Sequence, residues 1–334
     1  MDNAIPRILG MGYAVPANIR TNDDPIFDWL KTHNPKGGEL FKGYKFRRVL
    51  ADSENLMTIM VPAALHALRE AQVDVSEIDL LLGCASISPY QTPNELGRLH
   101  QQIGLPEHTW VLPLSNDFSN FNAAIALADS MIRANRARNV LIAVGGSWTR
   151  AVNYHTPQAI SAADGAGAIV MGVSSDSRRW TLVDQHTLTH SNYFGTMFMA
   201  GNSVALCPPQ HHHDLLYTAP YFQITSAGQN GFVEFGEEIA PKAAQVLLDR
   251  WQLKGEDITL ISHQASNVLL EQWQNQLSPS QYINTIEQYA NMTVANIPVN
   301  LAWAQEHDPI QTDSLVLLAI GLEMHANALL LQRK

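Results

Sequence analysis

ALREAQVDVSEIDLLLGCAS, residues 67–86, aligns without gaps to LLDRWQLKGEDITLISHQAS, residues 247–266. Six of the twenty positions are identical: Leu68/Leu248, Gln72/Gln252, Ile78/Ile258, Leu80/Leu260, Ala85/Ala265 and Ser86/Ser266. Each segment reads as the end of an amphipathic helix, a short acidic connection and a buried strand. A second echo follows in the same order. NVLIAVGG (139–146) resembles SLVLLAIG (314–321), and each precedes a further apolar run, GAGAIVMG (165–172) and ANALLLQR (326–333). The two echoes are offset by 180 and 175 residues, so they mark one duplication. Each half runs helix, strand, helix, strand, strand, the pattern of an α/β layer structure. The expected halves are 1–175 and 176–334, related by a pseudo-twofold axis and meeting near the turn-rich GVSSDSRRW (172–180).

The composition suits a large core. Of 334 residues, 46% are hydrophobic and 16% charged, against about 25% charged in an average globular protein. A net charge of −10 argues against general nucleic-acid binding. No stretch reaches the ~18 apolar residues of a membrane span, and MDNAIPRILG lacks the basic flank and apolar region of a secretory signal. Two cysteines, Cys84 and Cys207, make no disulfide framework, and a cytoplasmic location is expected.

LPLSNDFSNFNAAIALAD (112–129) reads as a strand running into a helix. Such a turn suits a nucleophile, because the helix N-terminus offers free N–H groups and partial positive charge. Phe118 stands at this turn and can attack nothing; a one-residue shift would present Ser119 instead. Cys84 lies within an apolar strand and reads as a small buried hydrophobe. The loop CPPQHHHD, with Cys207, His211, His212, His213 and Asp214, lacks ordinary zinc spacing and reads as polar surface, so no metal centre is expected. FKGYKFRR interleaves Lys42, Lys45, Arg47 and Arg48 with aromatics, either as a solvated basic face or as a dock for phosphate or an acidic carrier.

Several segments together resemble the thiolase-fold condensing enzymes, most closely β-ketoacyl-acyl-carrier-protein synthase III. They are ILGMGYAVPANIRTNDD (8–24), GYKFRRVLADSENL (43–56), DLLLGCASISPYQTP (79–93), ADGAGAIVMG (163–172), ISHQAS (261–266) and EQYANMTVANIP (287–298). The resemblance covers most of the chain and implies a duplicated five-layered αβαβα fold acting on acyl thioesters. It also implies catalytic roles for His263 and Asn291, which match the family's histidine and asparagine. That pair binds a thioester carbonyl and stabilises the enolate formed on decarboxylation.

The family's cysteine nucleophile falls at Phe118. Its C-terminal glycine triplet, which lends a backbone N–H to the oxyanion hole, reads here as GLEMHAN: Gly321 remains, and Glu323 and His325 follow within a rebuilt loop. Trp29 matches the tryptophan that stacks on the adenine of coenzyme A. The arginine opposite it falls at Thr156, the basic carrier-docking residue at Val268, and the tunnel-mouth aromatic at Thr92. Lys42, Lys45, Arg47 and Arg48 remain as an entrance for coenzyme A, phosphopantetheine or an acyl carrier protein. No permanently bound cofactor is implied.

Three functions fit. The first is an acyltransferase, condensing or decarboxylating enzyme of specialised fatty-acid or polyketide-type metabolism that works through His263 and Asn291 without a covalent intermediate. The second is a non-catalytic subunit paired with a cysteine-bearing paralogue. The third is an acyltransferase using Ser119 as nucleophile with His263 as base. A homodimer or a heterodimer is expected, with no nucleic acid and no membrane partner.

Overall fold

The computed structural model describes residues 4–90, 92–199 and 221–334. Its strands are β1 (Ile5–Ala14), β2 (Ile19–Thr21), β3 (Phe46–Arg48), β4 (Leu80–Ser86), β5 (Trp110–Pro113), β6 (Asn139–Ser147), β7 (Asp164–Ser174), β8 (Thr181–Thr189), β9 (Met197–Met199), β10 (Phe222–Ile224), β11 (Ile258–Ser262), β12 (Gln281–Ile283), β13 (Ser314–Gly321) and β14 (His325–Gln332). The helices are α1 (Asp28–His33), α2 (Met57–Ala71), α3 (Leu96–Ile103), α4 (Asn120–Arg133), α5 (Ser226–Glu234), α6 (Ala240–Trp251), α7 (Asn267–Leu277), α8 (Ile286–Tyr289) and α9 (Asn296–His307).

Two five-stranded sheets repeat one topology. The first runs β1-β7-β6-β4-β5 and the second β8-β14-β13-β11-β12. In each, the last three strands are parallel and the first two are antiparallel additions. The inner parallel strands β4, β6, β11 and β13 are buried on both faces, so they read as continuous apolar runs rather than alternating ones. Helix α2 packs on the outer face of the first sheet and α6 on that of the second, while α4 and α9 lie between the sheets. The order is α, β, α, β, α, the thiolase-like arrangement.

The duplication extends to single residues. Gln72 and Gln252 each end a helix in the left-handed conformation, both at φ 54°. Each closes a Schellman cap: Val73 N–H donates to Leu68 O at 3.2 Å, and Leu253 N–H to Leu248 O at 2.9 Å. The acidic connections then fold alike. Asp74 N–H donates to the Glu77 carboxylate and Lys254 N–H to that of Asp257.

Close backbone packing holds the layers together. A Cβ on Gly10 or Gly12 of β1 would overlap the backbone of α2, and one on Gly167 of β7 would overlap Pro298 of α9. No described helix is long and apolar enough to cross a membrane.

Candidate active site

Both central helices are entered through the same bend. Before α4, Asp117 takes φ 45°, and Asn120 Oδ1 accepts a hydrogen bond from Asn116 N–H at 2.9 Å. Before α9, Thr293 takes φ 54°, and Asn296 Oδ1 accepts from Met292 N–H at 2.7 Å. The first bend presents Phe118. The second organises the catalytic pair expected from the sequence.

His263 follows β11 and is fully enclosed, its own N–H bonded to Leu318 O. Asn291 is pinned by two backbone bonds to the segment before β7, to Ser161 O and from Ala163 N–H. Asn296 joins them. Its Nδ2 donates to Asn291 Oδ1 at 2.8 Å and lies 3.2 Å from His263 Nδ1. Because Met292 N–H occupies Asn296 Oδ1, the amide cannot turn over, and Nδ1 of His263 must be the acceptor. The imidazole proton therefore sits on Nε2, which is buried without a hydrogen-bond partner among the described residues. Burial holds the ring far below the usual histidine range, at about 3, against a small opposing effect of the Thr293 backbone. It is a neutral N–H donor. Gln264 fixes the segment leading to Asn291 by accepting from Thr285 N–H and Asn300 and donating to Ala290 O.

The Phe118 ring lies flat on the His263 imidazole, centroids 4.6 Å apart and planes 2° off parallel. It also divides two cavities. One of about 280 Å³ is lined by His263, Tyr44, Ser161, Phe232 and Ile320. The other, of about 460 Å³, is lined by Cys84, Ser86, Asn94, Asp117 and Thr293. Phe118, Trp148, Phe222 and Leu322 border both.

Ser119 is not beside His263, and the expected pairing is corrected here. Its buried Oγ lies 2.8 Å from His325 Nε2, on the hairpin between β13 and β14. Ser119 lines neither cavity. Gly321 admits the imidazole, because a Cβ there would overlap it. His325 Nδ1 in turn sits 3.4 Å from Glu323, whose carboxyl meets that of Asp117. Burial and this second carboxyl raise Asp117 to about 7, while the contact with Asp117 holds Glu323 down. Leu322 N–H donates to Asp117 Oδ2 at 3.0 Å. Sequence reading named Ser119, Glu323 and His325, but nothing local in the chain signalled that Ser119 and His325 meet across 206 positions.

Two family models match this chain. One, described as 3-Oxoacyl-[acyl-carrier-protein (ACP)] synthase III, matches residues 114–191, and its C-terminal counterpart matches 248–332. These spans contain Phe118 and both His263 and Asn291. Both halves of the chain are thus similar to a synthase III. It is 26% identical to the β-ketoacyl-[acyl-carrier-protein] synthase III of Rhodospirillum centenum, over 93% of each chain. The solved 3-oxoacyl-[acyl-carrier-protein] synthase III of Aquifex aeolicus superposes with a TM-score of 0.81 at 22% identity, covering 98% of this chain and 99% of that one. The priming β-ketosynthase of the R1128 polyketide pathway superposes at 0.83 with 19% identity, covering 98% and 97%.

The expected thioester entrance departs from the sequence reading. Arg47 is fully buried, caged by Phe27, Phe41 and Tyr44 and bonded to Ile160 O and Asn22. Burial lowers its guanidinium to about 10. It is no surface contact for phosphate; the interleaved aromatics enclose it. Arg48 is half-buried against Pro16 O, Ala17 O and the Tyr289 ring. Lys42 and Lys45 are exposed, and Lys45 pairs with Glu287. Trp29 is exposed but already stacked with two imidazoles, His33 at 4.6 Å and His155 at 4.4 Å. Thr92 and Val268 are exposed, and Thr156 is partly covered.

Cys84 is buried as expected, its thiol pushed up to about 12 by burial and then by Asp117. Cys207, His211, His212, His213 and Asp214 lie outside the described residues.

Proposed function

We propose that this protein acts on acyl thioesters as a condensing or decarboxylating acyltransferase, using His263 and Asn291 and no cysteine nucleophile. The observation carrying this reading is the buried, unpartnered Nε2–H of His263. An unmatched donor in a dry site is costly unless an acceptor arrives, and a thioester oxygen gaining negative charge is such an acceptor. Asn291 supports the same role: its Oδ1 is saturated by Thr293 N–H and Asn296, while its Nδ2 bonds to no described residue. The likeness to ketoacyl synthases, which are named for acyl-carrier-protein substrates, supports the substrate class.

The two imidazoles stacked on Trp29 favour a carrier-borne phosphopantetheine over coenzyme A, whose adenine would compete with them for the indole. Dimerisation, with itself or with a paralogue, and a cytoplasmic location belong to the same reading. The Ser119 alternative is disfavoured by access: its hydroxyl meets His325 rather than His263, and it is buried and lines neither cavity.

A second reading has one observation behind it. The Phe118 ring covers one face of His263 and walls off the larger cavity, as suits a subunit kept to complete a dimer with an active paralogue. Incubation with malonyl and longer acyl thioesters, on coenzyme A and on carrier protein, separates the readings. Intact mass and products are followed together. Turnover without an adduct, lost at least about 100-fold in His263→Ala, is the expected result. An adduct on Ser119 or Cys84 refutes the non-covalent mechanism. Silence with every thioester, reversed only by adding a paralogue, leaves the structural subunit.

A further inference from the structure

We propose that Asp117, Glu323 and His325 form a binding site for one divalent transition-metal ion of the zinc class, at the wall of the larger cavity. One ligand atom from each residue lies within 4.8 Å of the other two. The set is one imidazole nitrogen and two carboxylate oxygens, a mixed donor group suited to a borderline divalent ion.

Two observations beyond the clustering point to an ion. The first is His325 itself. Only 3% of this residue is exposed, and its Nδ1 is buried with no hydrogen-bond partner among the described residues. Ser119 Oγ, at 2.8 Å, occupies Nε2 and aims the Nδ1 edge of the ring at the carboxyls. A metal-bound histidine is commonly oriented through its second nitrogen in this way. The second is spacing. Nδ1 and Glu323 Oε1 are 3.4 Å apart without hydrogen-bond alignment. An ion with bonds of about 2.0–2.1 Å has donor-to-donor edges of about 3.3–3.4 Å at tetrahedral angles.

Two carboxyls in contact need a cation between them, either a proton or a metal. A shared proton satisfies Asp117 and Glu323 and leaves the buried Nδ1 only the loose 3.4 Å approach of Glu323. A metal ion satisfies all three. Asp117 lines the larger cavity, which gives an ion held there a way in and a contact with water. The site is independent of the His263 chemistry, because it requires neither that pair nor turnover.

The test is cobalt titration of the chelator-treated full chain, followed by visible d–d absorption and displaced with Zn²⁺. It is done in a His211→Ala, His212→Ala, His213→Ala background, which removes the competing histidine run. One equivalent of Co²⁺ should bind and be displaced by Zn²⁺. Glu323→Gln and His325→Gln should each weaken binding at least about 10-fold, and Ser119→Ala, which frees the ring, by a similar factor. No cobalt spectrum, or one untouched by Glu323→Gln and His325→Gln, overturns the site and leaves the shared proton. If both variants misfold, ¹⁵N-imidazole spectra of the parent decide. Zn²⁺ must shift Nδ1 of a histidine protonated at Nε2, and an unchanged spectrum refutes binding.

Discussion

Asn296 carries more than its size suggests. One carboxamide sets the bend before α9, holds Asn291 and fixes the tautomer of His263. Asn296→Ala removes these bonds from a fully buried place and strands their partners, so unfolding free energy should fall by about 2–3 kcal/mol, read by urea denaturation. His263 adds a pH dependence. Its folded value, about 3, lies below its unfolded one, so between pH ~6.5 and ~3 the unfolded chain binds more protons. The stabilisation is complete above that window and is lost as pH falls through it, at up to about 1.4 kcal/mol per pH unit. Denaturation from pH 7 to pH 4.5 should show this limb, and His263→Gln should flatten it. An equal slope in the variant would place the effect elsewhere.

At the scale of elements, the repeated caps give an unusual paired prediction. Gln72 and Gln252 hold a left-handed conformation that costs an ordinary side chain about 1 kcal/mol and glycine much less. Gln72→Gly and Gln252→Gly should each stabilise by about 0.5–1 kcal/mol. The caps belong to different sheets, so the double variant should show the sum in urea midpoints. These elements were legible in the sequence because helix, cap and strand are written in local periodicity, and duplication writes them twice. His263 and Asn291 were named instead through the resemblance to the condensing enzymes, whose motifs there are short and contiguous. Sequence reading missed Asn296 as the link between them and could not pair Ser119 with His325, since a contact across 206 positions leaves no local pattern. Arg47 failed differently. Basic residues interleaved with aromatics read as a solvated face or a dock, but three rings fold over this guanidinium instead.

For the whole molecule, one substitution should act with opposite signs at two glycines. Gly167 is where the first sheet touches the central helix α9, and a methyl group there has only Pro298 to displace. Gly167→Ala should cost about 1–3 kcal/mol or more by forcing two layers apart. Gly97 stands on the exposed face of α3 with nothing within 4 Å of a new Cβ, so Gly97→Ala should stabilise by about 0.5–1 kcal/mol. Thermal melts of both variants check the pair. The contrast follows from layering: tolerance is set by whether a residue faces solvent or the neighbouring sheet.

The flat stack of Phe118 on His263 also makes the protein its own detector. Protons of an imidazole lying under an aromatic ring are shielded by its circulating electrons, and the same ring borders both cavities. A guest that enters either chamber and turns Phe118 aside would release that shielding. The His263 ring resonances would then move downfield by an amount reporting the displacement. Occupancy of two chambers could thus be followed through one residue, with no label, before any reaction had been found.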